Sequence, residues 1–447
     1  MKANIFLEHR FKRTPDGRVW SPFFTYDMWT RYLRVFSEVA VCARVEDVLT
    51  VGKDMAPATG DGVSLIGLPY YQGPQQYLKK RREFRTAIAS AIQPGCAYIG
   101  RVPGNVAGQA ITALRAARLP YAVEVVGDPW DTFSPGSSTH PLRWFFRRMF
   151  TRSMRHECAN SAVSLYVTEH ALQRRYKPRE GSRTFHASNV FLPTPAPASP
   201  STHAVSDVCL PNSAFVAAPR EREVFTKQPV RFVCVGSFNL LYKAQDVLVN
   251  AFAKAVKGGL DGHLSFVGDG IYRPEIEALA RRHAQLAGRV EFLGQLRGGA
   301  SVRDVLNRSH VFVLPSRQEG LPRAALEAMA LGLPCIGSNV GGFPEILEPD
   351  AIVRPGDVND LAECLARLAA NPTRLAEMSA HNLRRAADFH ADKLAVRQSA
   401  FYAAVRDLFA DFWANHPGAM PSSGAFNAEK DSKPELAELA SSSNLAA

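Results

Sequence analysis

The stretch Val311-Phe-Val-Leu-Pro-Ser-Arg-Gln-Glu-Gly-Leu-Pro-Arg-Ala-Ala-Leu-Glu327 has the pattern of a buried strand, a polar loop and a helix. Val311–Leu314 is a short apolar run ended by Pro315, which is typical of a strand in a parallel sheet. Pro322 suits the first turn of the following helix, because that position needs no backbone N–H donor. The stretch therefore predicts one strand–loop–helix unit of an α/β domain.

The rest of the C-terminal half repeats this alternation. Apolar runs predict strands at 230–235, 263–267, 290–293 and 334–336, and helical patterns cover 244–256 and 274–287. Short strands that alternate with helices of ten or more residues indicate a parallel sheet covered on both faces. We therefore expect a Rossmann-like domain.

The N-terminal half shows the same rhythm, with apolar runs near 4–7, 39–43, 63–68, 97–99, 122–126 and 162–167. We interpret it as a second doubly wound domain, which makes the fold class α/β. The predicted organisation is an N-terminal domain over 1–190, a Pro-rich linker and connection over 191–229 and a C-terminal domain over 230–390. A helix over 391–413 is a candidate to return to the N-terminal domain, and the Ser- and Ala-rich segment over 414–447 is expected to be disordered.

Composition excludes a disordered or fibrous chain. Of the 447 residues 46% are hydrophobic and 21% are charged, which suffices for two or three domains with cores of their own. The formal charge of +11 lies in the first half, since residues 1–190 hold 27 Lys and Arg against 15 Asp and Glu. Such a surface attracts nucleic acid, acidic lipid or phosphorylated substrates. No nucleic-acid-binding module is recognisable, so we expect no nucleic acid partner.

The seven cysteines are scattered and lack the close pairs of a zinc site. They predict small apolar side chains buried in a reducing compartment. The N-terminus has no signal-peptide pattern, and no apolar run approaches the roughly 18–20 residues that span a bilayer. We expect a cytoplasmic protein, with peripheral attachment to the inner membrane as an alternative.

Two loops of the C-terminal half are candidates to hold an anion. In open parallel sheets, ligands bind at the carboxyl ends of the strands, where helix N-termini offer free N–H groups. After the first strand, Gly236 allows close backbone approach and Lys243 can place its ammonium over a diphosphate; a solvated surface lysine fits the same pattern. After residue 314, the amides of Gly320, Leu321 and Arg323 would point at an anion at the start of the Pro322 helix.

Glu319 precedes this helix and Glu327 lies inside it, so one carboxylate can reach a sugar hydroxyl while the other receives ribose hydroxyls. Two surface carboxylates are the ordinary alternative. With Gly268-Asp-Gly270 and Gly341-Gly-Phe-Pro-Glu345, however, residues 230–372 resemble the C-terminal domain of the family 4 glycosyltransferases of the bacterial polysaccharide and lipopolysaccharide type. The Glu-x7-Glu signature of that family is met by Glu319 and Glu327. The resemblance implies a GT-B architecture, two Rossmann-like domains facing each other across a cleft.

The resemblance also implies roles for single residues. Glu319 contacts the transferred sugar, Glu327 the nucleotide ribose and Lys243 the diphosphate. The implied donor site comprises Gly236, Ser237, Lys243, Gly320, Leu321, Pro322, Arg323 and Glu327. Many members have an arginine where this chain has Ser237, so one positive charge is missing there or is supplied from elsewhere, for which Arg323 is a candidate.

By the same resemblance, the reaction is a retaining hexosyl transfer without a metal ion or other cofactor. The donor is a nucleotide-diphosphate sugar with UDP or GDP, and the acceptor is a glycan or a lipid-linked molecule in cell-surface polysaccharide synthesis. A nucleotide-sugar epimerase of the same fold and a catalytically silent membrane-associated scaffold stay open as alternatives. A glycosidase is disfavoured, because Glu319 and Glu327 would lie ~12 Å apart along the axis if both were on one helix, farther than a glycosidase pair allows.

The N-terminal half matches the family less closely. Members often carry a glycine-rich first loop and a histidine after a mid-domain strand. Here the first loop is expected from Glu8 to Gly17, and the strand over 121–126 leads into Asp128. Asp128 is the candidate catalytic residue nearest the acceptor, or it only caps the loop. His9 is a second candidate for the missing histidine.

Residues 143–156 form a basic amphipathic helix by periodicity. One interpretation packs its aromatic face on the sheet with the arginines in water. The other lays the helix on an anionic membrane or an acceptor carried on a lipid diphosphate. The residues of that surface would be Arg147, Arg148, Arg152, Arg155, Phe146 and Phe150.

Overall fold

The computed structural model describes residues 1–52, 55–135, 137, 140–186, 210–296 and 300–419. Two sheets of parallel strands, each flanked by helices, form its framework, which confirms the α/β prediction. Residues 191–209 of the linker and connection predicted over 191–229, and residues 420–447 of the tail predicted over 414–447, lie outside the described residues.

Most strands are short and apolar. Their bounds are β1 Lys2–Arg13, β2 Val19–Ser21, β3 Glu38–Asp47, β4 Ala56–Pro57, β5 Val63–Leu68, β6 Cys96–Val102, β7 Ala122–Val125, β8 Val163–Tyr166, β9 Arg183–His186, β10 Val230–Val235, β11 Gly262–Val267, β12 Val290–Phe292, β13 Val311–Leu314, β14 Cys335–Ser338 and β15 Ile352–Val353.

The helices connect these strands and cover both faces of each sheet. Their bounds are α1 Tyr26–Leu33, α2 Gly73–Ser90, α3 Asn105–Ala116, α4 Pro129–Thr132, α5 Arg143–Ala159, α6 Ala171–Arg175, α7 Arg222–Phe225, α8 Gln245–Lys257, α9 Arg273–Arg281, α10 Ala300–Arg308, α11 Arg323–Ala330, α12 Phe343–Ile346, α13 Val358–Ala369, α14 Pro372–Ala386 and α15 Ala391–Asn415.

Both sheets have the strand order of a doubly wound fold. The C-terminal sheet runs β12-β11-β10-β13-β14-β15 and is parallel throughout. In the N-terminal sheet the parallel strands run β5-β3-β1-β6-β7-β8-β9, and β2 and β4 extend it in antiparallel pairs. The order reverses between β10 and β13 and between β1 and β6. Ligands of such sheets bind in the crevice at a reversal point.

Helix α8 illustrates how the sequence selects these elements. Val247, Leu248, Ala251 and Phe252 recur at helical spacing, and all four are buried against the sheet. The Phe252 ring meets Phe232 of β10 edge to face at 5.8 Å between centroids. Burial of such side chains contributes about 1.5–3 kcal/mol each.

Two connections link the halves. Residues 210–229 pack on the C-terminal half, where Arg220 donates hydrogen bonds to the carbonyls of Leu306 and Leu331. At the other end, α15 lies on the N-terminal sheet. There the Tyr402 hydroxyl donates to buried Glu124 at 3.2 Å, and the Trp413 indole donates to the Cys96 carbonyl at 2.9 Å.

The cysteines with described structure are free and buried in the apolar interior, as predicted: Cys42, Cys96, Cys158, Cys234, Cys335 and Cys364. Cys209 lies outside the described residues. Within the described ranges, no helix combines the length and apolar character that crossing a bilayer requires.

Candidate active site between the two sheets

The two predicted anion loops come together at the reversal point of the C-terminal sheet. Strands β10 and β13 pair directly, Phe232 with Val311, so the loops at their carboxyl ends are neighbours. The first loop runs from Gly236 to Lys243 and leads into α8, and the second runs from Pro315 to Pro322 and leads into α11.

Lys243 and Glu319 form an ion pair at the centre of this crevice. The Lys243 ammonium donates to Glu319 Oε1 at 2.6 Å, and the Ser316 hydroxyl donates to the same oxygen at 2.7 Å. Only 15% of the lysine side chain and 7% of the glutamate side chain are exposed. Lys243 is therefore not the solvated surface group that its position alone would also fit.

The charge of Lys243 depends on Glu319. Burial disfavours the ammonium, but the Glu319 carboxylate outweighs this effect and raises the pKa of Lys243 above its usual value. The lysine is thus a fixed positive charge, and among the described residues Glu319 is the carboxylate that pairs with it. An anionic ligand that reached the ammonium would compete with Glu319 for it.

Three glycines allow the loops to pack this closely. A Cβ atom on Gly236 would press on the Lys243 side chain at 3.3 Å. Gly268 and Gly270 have φ values of +136° and +151°, and a side chain at either would collide with the backbone of the loop after β10. The Gly-Asp-Gly motif therefore lays the β11 loop flat against the first anion loop.

Arg317 holds the two anion loops together, a role that the sequence analysis missed. Its guanidinium binds both carboxylate oxygens of Asp246, at 2.8 and 2.6 Å, and donates to the Leu241 carbonyl at 2.6 Å. Asp246 lies in the first turn of α8, just after Lys243. The bidentate geometry fixes the lysine loop relative to Glu319.

The predicted donor residues around α11 also lie at this crevice. Pro322 is the N-cap of α11 and Leu321 is buried beside it. Arg323 donates from Nε to Glu327 Oε1 at 2.8 Å. Arg323 is the candidate to supply the positive charge missing at Ser237, and in this structure it is paired with Glu327, the predicted ribose ligand. Ser237 accepts a hydrogen bond from the Asn239 amide within its own loop.

Asp128 serves as a cap in this structure. Its side chain is buried, accepts from the Trp130 amide at 2.8 Å at the start of α4, and is held by Arg175 and the Tyr176 hydroxyl. Of the two interpretations of Asp128, the contacts are those of a cap. The pKa of the neighbouring Asp131 is raised to about 6, mainly by burial and to a smaller extent by the charge of Asp128.

Loops of the N-terminal half touch the Glu319 loop directly. The Gln318 side-chain amide donates to the Thr132 hydroxyl at 2.9 Å. A Cβ atom on Gly320 would stand 3.0 Å from the Val126 carbonyl oxygen. The carboxyl ends of β7 and β13 therefore face each other, and Glu319 lies where the halves meet.

The prediction of a loop from Glu8 to Gly17 is wrong for its first part, because residues 8–13 belong to β1. β1 continues to Arg13 after an irregularity between Phe6 and Arg10, because alternate side chains of this segment, among them His9, point into the core. The His9 ring accepts or donates a hydrogen bond at Ser21 and lies among phenylalanine rings. Burial first, and then nearby arginines, lowers the pKa of His9 to about 3.

The prediction of a membrane surface on α5 is wrong for its two phenylalanines. Phe146 is fully buried against Phe133, and the Phe150 ring stacks on Phe133 at 5.4 Å, so these phenylalanines pack inward. Arg147 lies 3.8 Å above the Trp130 ring.

The outer face of α5 instead carries Arg148, Arg152 and Arg155, all exposed. It also carries Trp144, which is 61% exposed. The exposed part of the predicted surface is thus basic, with one aromatic side chain.

Residues 229–371 match the sequence model of the family described as glycosyl transferases group 1. Protein CapJ of Staphylococcus aureus is 22% identical over 403 residues, 87% of this chain and 92% of its own. A GDP-mannose-dependent monoacylated alpha-(1-6)-phosphatidylinositol monomannoside mannosyltransferase of Corynebacterium glutamicum is 30% identical over 256 residues. That match covers 54% of this chain and 61% of the mannosyltransferase.

Solved structures give the architecture. Sucrose-phosphate synthase of Thermosynechococcus elongatus superimposes with a TM-score of 0.61 at 18% identity, over 92% of this chain and all of the other. HepE of Anabaena superimposes with a TM-score of 0.52 at 13% identity, over 93% and 99% of the two chains. The GT-B fold expected from the resemblance is confirmed. The match over residues 229–371, the relatives and the shared architecture together identify the chain as a glycosyltransferase with the GT-B fold.

Proposed function

We propose that this glycosyltransferase takes a sugar from a nucleotide-diphosphate donor bound in the crevice between β10 and β13, and transfers it with retention of configuration. The observation that carries the proposal is the buried Lys243–Glu319 pair at the reversal point of the C-terminal sheet. The positive charge lies where a diphosphate would bind, and the carboxylate lies next to the loops of the N-terminal half. The mannosyltransferase relative, whose name states GDP-mannose dependence, supports a donor of this class.

The mechanism follows from charge. As the bond between the sugar and the diphosphate breaks, negative charge grows on the departing nucleotide, and a fixed ammonium with helix N-terminal amides stabilises it. Lys243 would leave Glu319 for the diphosphate, which frees the Glu319 carboxylate for a sugar hydroxyl. The acceptor hydroxyl would attack the anomeric carbon from the same face of the sugar, and its proton would pass to an oxygen of the departing diphosphate.

The proposed reaction uses no metal ion. Lys243 and the amides at the start of α11 would carry the charge that a metal carries in other transferases. Turnover in the presence of a chelator tests this point, and loss of activity that added Mg²⁺ restores would contradict it.

The proposed acceptor is a glycan or a lipid-linked molecule, used in cell-surface polysaccharide synthesis at the cytoplasmic face of the membrane. The name of the mannosyltransferase relative gives a phosphatidylinositol mannoside, which supports a lipid-linked acceptor. Helices α2, α3 and α5 form one layer, because Arg85 of α2 bonds Gln109 of α3, and Gly108 of α3 lies against Glu157 of α5.

The outer side of that layer would rest on anionic lipid. Its exposed side chains include Trp144, Arg148 and Arg152 of α5 and Lys79 and Arg82 of α2. Each basic side chain near an anionic surface adds roughly 1 kcal/mol. Sedimentation with phosphatidylglycerol vesicles should decrease strongly in Arg148→Glu/Arg152→Glu, whereas the matched charge reversal Arg281→Glu on the other half should bind normally. Equal binding of both variants would contradict this surface.

The decisive experiment incubates the protein with UDP-, GDP- and ADP-sugars, with and without membrane extract, and measures nucleotide release. We expect one nucleotide to be released only when extract is present, and release to be lost in Glu319→Ala. Donor conversion without any acceptor would favour an epimerase. A native chain that binds and turns over no donor would favour the scaffold interpretation.

A further inference from the structure

Glu345 reaches across from the C-terminal half to the N-terminal half. Its carboxylate accepts hydrogen bonds from three successive backbone amides after β8: Glu169 at 2.7 Å, His170 at 2.9 Å and Ala171. Residue 171 begins α6, so these amides are the donors that a helix start leaves unpaired. A side chain of one half therefore caps a helix of the other.

Arg385 reinforces this contact from the same side. Its guanidinium donates to the Glu169 carboxylate at 2.7 Å and to the Glu345 carbonyl at 3.2 Å. It also binds Asp388 at 2.8 Å, three residues before the long helix α15 begins. We call Glu345, Arg385 and residues 169–171 the latch. Both charged side chains come from the C-terminal half, and the groups that they bind on the other half lie in one loop.

The segment that carries Glu345 contacts the Glu319 loop, through Gly341 and Gly342 on one side and Glu319 and Gly320 on the other. The Gly342 amide donates to the Gly320 carbonyl at 2.7 Å. Gly341 has a φ of +52°, and a Cβ atom there would collide with the Glu319 carbonyl. The backbone that carries Glu345 thus lies directly on the backbone that carries Glu319. A shift of Glu345 relative to the N-terminal half would move Glu319 as well.

We propose that Glu345 is a positioning residue: by capping residues 169–171 it fixes Glu319, and with it the bound sugar, relative to the acceptor half. The inference rests on the proposed function for its catalytic consequence. The hydrogen bonds of the Glu345 carboxylate go to residues 169–171 and not to Lys243. It therefore governs the alignment of donor and acceptor and not the affinity for the nucleotide. Arg385 has the same role through Glu169.

Two measurements on Glu345→Ala and Glu345→Gln test the latch. The first is amide hydrogen exchange at residues 169–171, which we expect to become roughly tenfold to 100-fold faster in Glu345→Ala, because hydrogen bonds to a charged acceptor are lost. The second is steady-state kinetics with the donor identified above. There kcat should fall about 100-fold, the loss that a misplacement of about 1 Å can cause.

Affinity for the free nucleoside diphosphate should stay within about twofold of the native value, since the loops that bind it are unchanged. Glu345→Gln keeps one acceptor oxygen and should recover part of both losses. Arg385→Met, which leaves the cap in place, should show a smaller change in the same direction. Glu363→Ala, which removes an exposed carboxylate from α13, is the matched control and should change none of these values.

Three outcomes would overturn the inference. Unchanged exchange at 169–171 would show that the cap does not hold this loop in solution. Faster exchange with native kcat would leave Glu345 a cap without influence on catalysis. Nucleotide affinity that falls in step with kcat would place its effect in the donor site. A native chain without any turnover would refute the proposed function instead, and the exchange measurement would still decide whether the latch exists.

Discussion

Replacing Glu319 by glutamine should destabilise the ligand-free protein and at the same time tighten its binding of a nucleoside diphosphate. Glutamine keeps the size of the side chain but leaves the Lys243 ammonium without its carboxylate partner. Breaking a buried pair by removing one member costs about 3–5 kcal/mol. Because 15% of the lysine side chain is exposed and water can reach it, we expect a loss near the lower limit, about 3 kcal/mol.

The gain in affinity comes from the same change. In the proposed mechanism a diphosphate competes with Glu319 for Lys243, whereas in Glu319→Gln the ammonium is already free of that carboxylate. If half of the lost pair energy returns on binding, the dissociation constant falls about tenfold, and if all of it returns the factor is about 100. Transfer activity should nevertheless be lost, because in the proposed mechanism the Glu319 carboxylate binds the sugar and an amide replaces it poorly.

Titration calorimetry with UDP and GDP, together with thermal melts, measures both effects. The matched control is Lys243→Met, which breaks the same pair from the other side. It should lower the melting temperature similarly but weaken nucleotide binding at least tenfold. Opposite shifts of affinity in two variants of one ion pair are hard to obtain from general damage. Weaker nucleotide binding in Glu319→Gln, or an unchanged melting temperature, would refute the competition between Glu319 and the diphosphate.

Two further predictions concern the supports of the site, and a third concerns the buried His9. Arg317→Lys should lower the free energy of unfolding by about 2 kcal/mol and raise KM for the donor, because the bidentate bond to Asp246 is lost; an unchanged KM would contradict this. Gly341→Ala should reduce kcat about 100-fold, because the methyl group would displace the Glu319 backbone; native kcat would show that the loop adapts to the methyl group without loss of activity. In the folded protein His9 is protonated only near pH 3, whereas in the unfolded chain it binds a proton below about pH 6.5. The free energy of unfolding should therefore fall by about 2 kcal/mol from pH 7.5 to pH 5. Thermal melts of His9→Gln should lose this dependence, and melts that keep it would assign the effect to other groups.

The sequence was sufficient for most of the framework of the C-terminal half, because apolar side chains dominate its strands and Gly236, Gly268 or Pro315 follows three of them. Strands β10 and β13 match the predicted ranges, and each is followed by the loop that carries a predicted site residue. Their neighbouring position follows from the doubly wound order. The approach of Lys243 to Glu319 was therefore foreseeable, and their catalytic roles stay predictions.

The contacts that hold the site together were not foreseeable in the same way. Arg317 meets Asp246 across 71 residues, and Glu345 meets the loop at 169–171 across 174–176 residues. No local pattern distinguishes a charged side chain that spans two loops from one that points into water. Only the three-dimensional neighbourhood assigns its partner.

Two misjudged segments had a signal in the sequence. From Glu8 to Arg13, inward and outward side chains alternate as they do in a strand, but the family resemblance favoured a loop. In α5 the periodicity marked an apolar face correctly and did not identify its partner. Phe133, thirteen residues before Phe146, provides that partner, so the face is covered by the protein itself.

The energetics of the Lys243–Glu319 pair argue against a scaffold that merely keeps the fold. Desolvation of two charges costs several kcal/mol per ion, and apolar side chains of similar volume commonly stabilise a protein as well or better. A pair of this kind is therefore poor evidence for a structural role. Its position at the carboxyl ends of β10 and β13, next to helix N-terminal amides and opposite the loops of the other half, suits a ligand that exchanges partners with it. In the proposed mechanism, an anion that enters the crevice replaces Glu319 as the partner of Lys243. For this reason nucleotide affinity and ligand-free stability should move in opposite directions when Glu319 alone is neutralised.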